Sequence, residues 1–91
     1  MIKFVIDVER GIAAFGGEFY KDADALLLES GSVQEYLWGG NLHPWAVPPL
    51  IVFSSLINIR PAAGNGSMIV ENPELRERLK TVMHRWIQLE W

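Results

Sequence analysis

The sequence predicts one α+β domain: an antiparallel or mixed four-stranded sheet, in the order β-β-β-short α-β-α, covered by a C-terminal amphipathic helix. Three observations predict it. Residues 2–8 alternate in side-chain character, residues 50–60 alternate again, and after Asn72-Pro73 the apolar residues recur at helical spacing. At 91 residues the chain has the length of one domain, spanning residues 1–91.

The elements follow in chain order. Ile2, Phe4, Ile6 and Val8 point one way and Lys3, Val5, Asp7 and Glu9 the other, the period of a half-buried strand. Glu9-Arg10-Gly11 interrupts it as a hairpin turn, and residues 12–19 read as the returning strand, with a bulge at Gly16-Gly17. Residues 25–29, containing three consecutive leucines, read as a third, short strand ended by a Ser30-Gly31 turn. Ser32 and Glu35 have capping-box spacing, so residues 32–38 are expected to form a short helix that stops at Gly39-Gly40. Residues 41–49 hold three prolines and read as a loop. Residues 50–60 form the fourth strand, closed by Pro61, and a turn-rich loop and a short extended piece at 68–70 follow. Asn72 as N-cap and Pro73 at the first helical position open the last helix, expected to run to within a few residues of Trp91. Leu75, Leu79, Val82, Met83, Trp86 and Leu89 form its apolar stripe, so Leu79 and Trp86 are expected in the core.

Composition narrows the function classes. Nearly half the residues are hydrophobic (49%), which excludes a disordered chain. The net charge is −3, and Arg76, Arg78, Lys80 and Arg85 are interleaved with Glu74 and Glu77 on one helix, so nucleic-acid binding is not expected. There is no cysteine, hence no disulfide or thiol chemistry. No membrane span and no signal peptide are visible, which makes the cytoplasm the default location. Four Trp, four Phe and two Tyr are a large aromatic load for so small a domain, and predict self-association as a dimer.

Several strings combine into a family pattern: Val5-Ile6-Asp7-Val8-Glu9-Arg10-Gly11, Gly16-Gly17-Glu18, residues 25–32 with Gln34, Leu37-Trp38-Gly39 and Asn41, Ile57-Asn58-Ile59-Arg60-Pro61, and Gly64-Asn65 with Ser67. Together they resemble an uncharacterised bacterial family, domain-of-unknown-function family 5674, over nearly the whole chain. The resemblance implies no activity. The family pattern includes a helical segment ahead of the first strand, where this sequence starts directly at the strand. It also has an Arg where this chain has Gly66, which removes a basic side chain from that loop.

Candidate chemistry is sparse. His43 and His84 are the only imidazoles and no ligand spacing matches a zinc site, so no metal and no cofactor are expected. Ser32 is explained as a cap, and Asp7, Glu9, Glu18, Asp22, Asp24 and Glu29 as a solvated acidic rim. Gly64-Asn65-Gly66-Ser67 could offer backbone N–H groups to an anion, but lacks the length and Lys of a phosphate loop and reads as a flexible turn. The strongest cluster is Asn58 and Arg60 at a strand end, with Glu29 and Gln34 flanking another turn and Asn65 nearby. If the segments meet, a carboxylate–guanidinium pair with amide neighbours results, serving as a structural clamp or a ligand site. Two functions are expected from these features. The first is a non-enzymatic binding or protein-interaction module acting as a homo-oligomer. The alternative is a small enzyme or anionic-ligand binder using a strand-end cleft around Glu29, Asn58 and Arg60.

Overall fold

The alternation at the start of the chain does build a strand, and the first turn shows why the chain reverses where it does. The computed structural model describes residues 2–16, 20–46 and 50–86, residues 20 and 21 by their backbone alone. Strand β1 (Ile2–Asp7) pairs antiparallel with β2 (Ile12–Phe15). The Asp7 carboxylate oxygen Oδ1 accepts from the N–H groups of Glu9 (3.0 Å) and Arg10 (2.9 Å), closing an Asx turn. Gly11, at φ 67°, then takes the left-handed conformation that a side chain would strain, and its N–H donates to the Asp7 carbonyl. The expected second half of the returning strand, residues 17–19, lies outside the described residues.

The next two elements differ from expectation. Residues 25–29 are not a strand but the end of helix α1 (Tyr20–Glu29). Ala23 and Leu27, four residues apart, are buried, while Leu26 and Leu28 are exposed. The triple-leucine run thus hides a narrow helical stripe. Ser30-Gly31 is the stop of this helix. The Ser32 N–H donates to the Leu27 carbonyl and the Gly31 N–H to the Leu28 carbonyl, the paired bonds of a Schellman cap.

Residues 32–38 do not form a capped helix. A single 3-10 turn (Gln34–Tyr36) without a side-chain cap leads into strand β3 (Leu37–His43), which takes in the first three residues of the expected loop. Gly39 and Gly40 end nothing; they sit inside β3 because there is no room for a Cβ. At Gly40 it would lie 2.4 Å from the Phe4 ring and 2.7 Å from the Val52 carbonyl, and at Gly39 2.7 Å from the Ser55 Cβ.

The expected strand over 50–60 is short. β4 covers Leu50–Val52 only, followed by a bridge from Ser54 to Ile69 and 3-10 turns at Leu56–Asn58 and Pro61–Ala63. Helix α2 (Pro73–Trp86) opens as expected, with Asn72 Oδ1 accepting from the N–H groups of Glu74 and Leu75. Its expected continuation toward Trp91 falls outside the described residues.

The outcome is an α+β fold with one four-stranded antiparallel sheet in the order β2-β1-β3-β4. Both faces are covered, where one was expected. Phe4, Ile6, Trp38 and Leu42 pack with Phe53 and Val70 under Leu79, Val82 and Met83 of α2. On the other face Val5 and Leu37 pack under Ala23 and Leu27 of α1. Leu79 is fully buried as expected. Trp86 is not: it is 54% exposed, because α2 runs past the core and reaches the β1–β2 turn, where its indole N–H donates to the Gly11 carbonyl (3.0 Å). No described helix is long and apolar enough to cross a membrane.

Candidate functional site

Two places with concentrated polar side chains stand out among the described residues. The first is the outer edge of β3. Strand β4 pairs with residues 41–43 of β3 and stops, leaving Gly39 and Leu37 with backbone groups aimed at no strand. Side chains take over there. Asn58 is fully buried; its Oδ1 accepts from the Gly39 N–H (2.8 Å), and its Nδ2 donates to the carbonyls of Gly39 (3.0 Å) and Met68 (3.0 Å). The amide imitates a neighbouring strand. Arg60 extends the imitation: Nε donates to the Ile57 carbonyl (3.1 Å), Nη1 to that of Glu35 (3.0 Å) and Nη2 to that of Leu37. Its guanidinium also lies over the Trp38 ring, 4.5 Å from the centroid. Burial lowers the Arg60 pKa from its ordinary value and nearby Asp24 opposes the shift. Asn65 ties the following loop, its Nδ2 reaching the carbonyls of Asn58, Ser67 and Ile69 and its Oδ1 accepting from the Glu71 N–H.

The residues singled out from sequence are therefore partly brought together. Asn58, Arg60 and Asn65 share one network, but they lie on turns and bridges instead of one strand face. Gln34 approaches through a hydrogen bond from its side-chain amide Nε2 to Asp24 Oδ1 (3.1 Å). Glu29 does not take part: it is exposed at the end of α1, and the acid that acts on Arg60 is Asp24. The network spends its donors on main-chain carbonyls, tying the turns around Asn58 and Asn65 to the edge of β3. The Gly66 N–H likewise donates to Glu71 Oε2 (3.0 Å), filling the loop considered as an anion cradle with the chain's own carboxylate.

The second place is a cleft of about 270 Å³ between the β1–β2 turn and α2. Val8, Glu9, Arg10 and Gly11 form one wall and Arg78, Thr81, Val82 and Arg85 the other. The helical residues are three, four and seven apart, hence on one face. Gly11 permits the approach, since its missing Cβ would lie 2.7 Å from Arg85 Nη1. Arg10 is steadied by bonds from Nη1 to the hydroxyls of Ser30 (3.0 Å) and Ser32 (2.9 Å), which is the task of Ser32 in place of capping. Among the described residues no ion pair involves Arg10, Arg78 or Arg85; α2 pairs Lys80 with Glu77 instead. The wall can therefore offer unneutralised guanidinium forks, suited to phosphate or carboxylate oxygens.

Turn N–H groups contribute little. Those of Glu9, Arg10 and Gly11 bind Asp7, and that of Val8 binds the Tyr36 carbonyl. The cleft also lies beside the last turns of α2, where the helix dipole repels an anion. Binding here rests on side-chain charge. Sequence reasoning noticed the basic residues of α2 but not this site, because nothing local pairs them with a turn at the far end of the chain. The helical spacing of Arg78, Thr81 and Arg85 was the available signal. Among the described residues, no group of three or more His, Asp or Glu side chains could hold a metal ion.

Fold and cleft together define a small α+β domain with an arginine-lined groove at one end of its sheet. The chain belongs to the family described as protein of unknown function (DUF5674), whose pattern matches residues 1–86. No curated protein and no solved structure matches it.

Proposed function

We propose that this domain is a binding module for a small anionic ligand, held in the cleft by Arg10, Arg78 and Arg85. The observation that carries the reading is that Arg10, Arg78 and Arg85, none of them in an ion pair among the described residues, line one groove of a chain whose net charge is −3. In an acidic protein, a local positive wall attracts anions against the overall field. We place the module in the cytoplasm of a bacterial cell, in keeping with its lack of cysteine. The test is titration with inorganic phosphate, followed by calorimetry and by backbone NMR shifts of the turn and α2. Binding should weaken steeply with salt and disappear in the Arg78→Ala, Arg85→Ala double variant with its circular dichroism unchanged. Shifts confined to other surfaces would refute the assignment.

A second reading, self-association, is favoured by Trp45. It is 82% exposed in the segment after β3, and Leu50 of the edge strand β4 is also exposed. Open edges and bare aromatic surface are met by pairing with another copy. Light scattering should report twice the 10.3 kDa chain mass at tens of micromolar protein, falling to the monomer value in Trp45→Ser. A monomer in the unaltered protein refutes it.

A further inference from the structure

Resting on the anion-binding reading above, we infer that the ligand of the cleft is a phosphorylated polyol of the sugar-phosphate kind. Charge is the first reason. The formal charges of the lining residues Glu9, Arg10, Arg78 and Arg85 sum to +2, the complement of a phosphomonoester, which carries about −1.5 to −2 at pH 7.

Shape is the second reason. The arginines approach from two elements, Arg10 from the turn and Arg78 and Arg85 from α2. A phosphate presents three terminal oxygens to forks arriving from different directions, whereas a planar carboxylate occupies one fork. The third reason is the distribution of acceptors. Among the described residues the Glu9 carboxylate makes no ion pair, and an ionised carboxylate only accepts hydrogen bonds. Thr81 Oγ1 already donates its proton to the Glu77 carbonyl (3.0 Å), so toward the cleft it too is an acceptor. The walls thus combine donors for a phosphate with acceptors for hydroxyl groups. Val8 and Val82 supply apolar surface for the carbon skeleton. No aromatic ring is among the described lining residues, the nearby Trp86 indole having its N–H bound to the Gly11 carbonyl, so the walls themselves give a nucleobase no stacking platform.

The experiment titrates the full chain, at fixed ionic strength and pH 7.5, with inorganic phosphate, ribose 5-phosphate, AMP and succinate. Ribose 5-phosphate should bind at least tenfold tighter than inorganic phosphate, AMP no tighter than ribose 5-phosphate, and succinate weakest. Glu9→Gln should remove the tenfold preference while leaving inorganic phosphate bound at least as well. Equal affinity for inorganic phosphate and ribose 5-phosphate, or tightest binding of AMP or succinate, overturns the polyol phosphate and leaves the anion cleft standing. No shift at the turn or α2 with any of the four probes overturns the cleft itself.

Discussion

Replacing Asn58 with alanine removes the side-chain amide that stands in for a strand beside Gly39. Three hydrogen bonds go at once: one from the Gly39 N–H and two to the carbonyls of Gly39 and Met68. Each is worth about 0.5–1.5 kcal/mol net, and a buried group left without a partner costs about 1–3 kcal/mol. Since Asn58 is fully buried, water cannot simply take its place, and the expected loss is about 3–5 kcal/mol. A domain of this size has roughly 5–14 kcal/mol in total, so the variant should fold marginally. Urea unfolding followed by tryptophan fluorescence measures the loss. Asn58→Asp keeps the acceptor for Gly39 but turns an oxygen toward two carbonyls. It should be at least as damaging at neutral pH, with part of the loss recovered as acid protonates the new carboxylate. A loss below about 1 kcal/mol for the alanine variant would show that the amide is not needed to finish the β3 edge.

Three further outcomes are expected. Leu79→Ala should cost about 2–5 kcal/mol, because Leu79 is fully buried between α2 and the sheet; a change under about half a kcal/mol in urea unfolding would mean the helix is not docked there. Gly11→Ala should cost about 1–2 kcal/mol from its left-handed backbone and, by pushing Arg85 from the turn, should weaken phosphate binding measured by calorimetry. Arg60→Lys should lower thermal stability, because an ammonium cannot reproduce the planar fork over Trp38 and its three carbonyls, whereas Glu29→Gln should leave it within about 0.5 kcal/mol. Similar losses from Arg60→Lys and Glu29→Gln that are non-additive in a double-mutant cycle would reinstate the ion pair expected from sequence.

Much of the architecture was legible in local patterns. The first strand, the Gly11 turn, the Asn72-Pro73 helix start and the Leu79 stripe each depend on near neighbours in the chain, and each stands in the structure. Local chemistry also named Asn58, Arg60 and Asn65 as a group, though not what they touch. The errors cluster where one pattern fits two structures. Ser30-Gly31 suits a hairpin turn or a helix stop, and three leucines in a row show neither period. Gly39-Gly40 suits a helix end as readily as a strand pressed against Phe4 and Ser55.

Those ambiguities were resolved by contacts between segments far apart in sequence. β3 became a strand because β1 could pair with it and the glycines let Phe4 and Ser55 close in. The alternating run after Leu50 leaves the sheet after Val52, and Asn58 instead bonds to the backbone of Gly39. The cleft is more remote still: Arg10 and Arg85 become neighbours only when α2 lies across the sheet and its last turn meets Gly11. The sequence by itself determined the class of fold, through hydrophobic period and turn chemistry that act within a few residues. Which side chains share a site was decided by tertiary packing, because hydrogen bonds and charges act over a few ångströms of space regardless of distance along the chain.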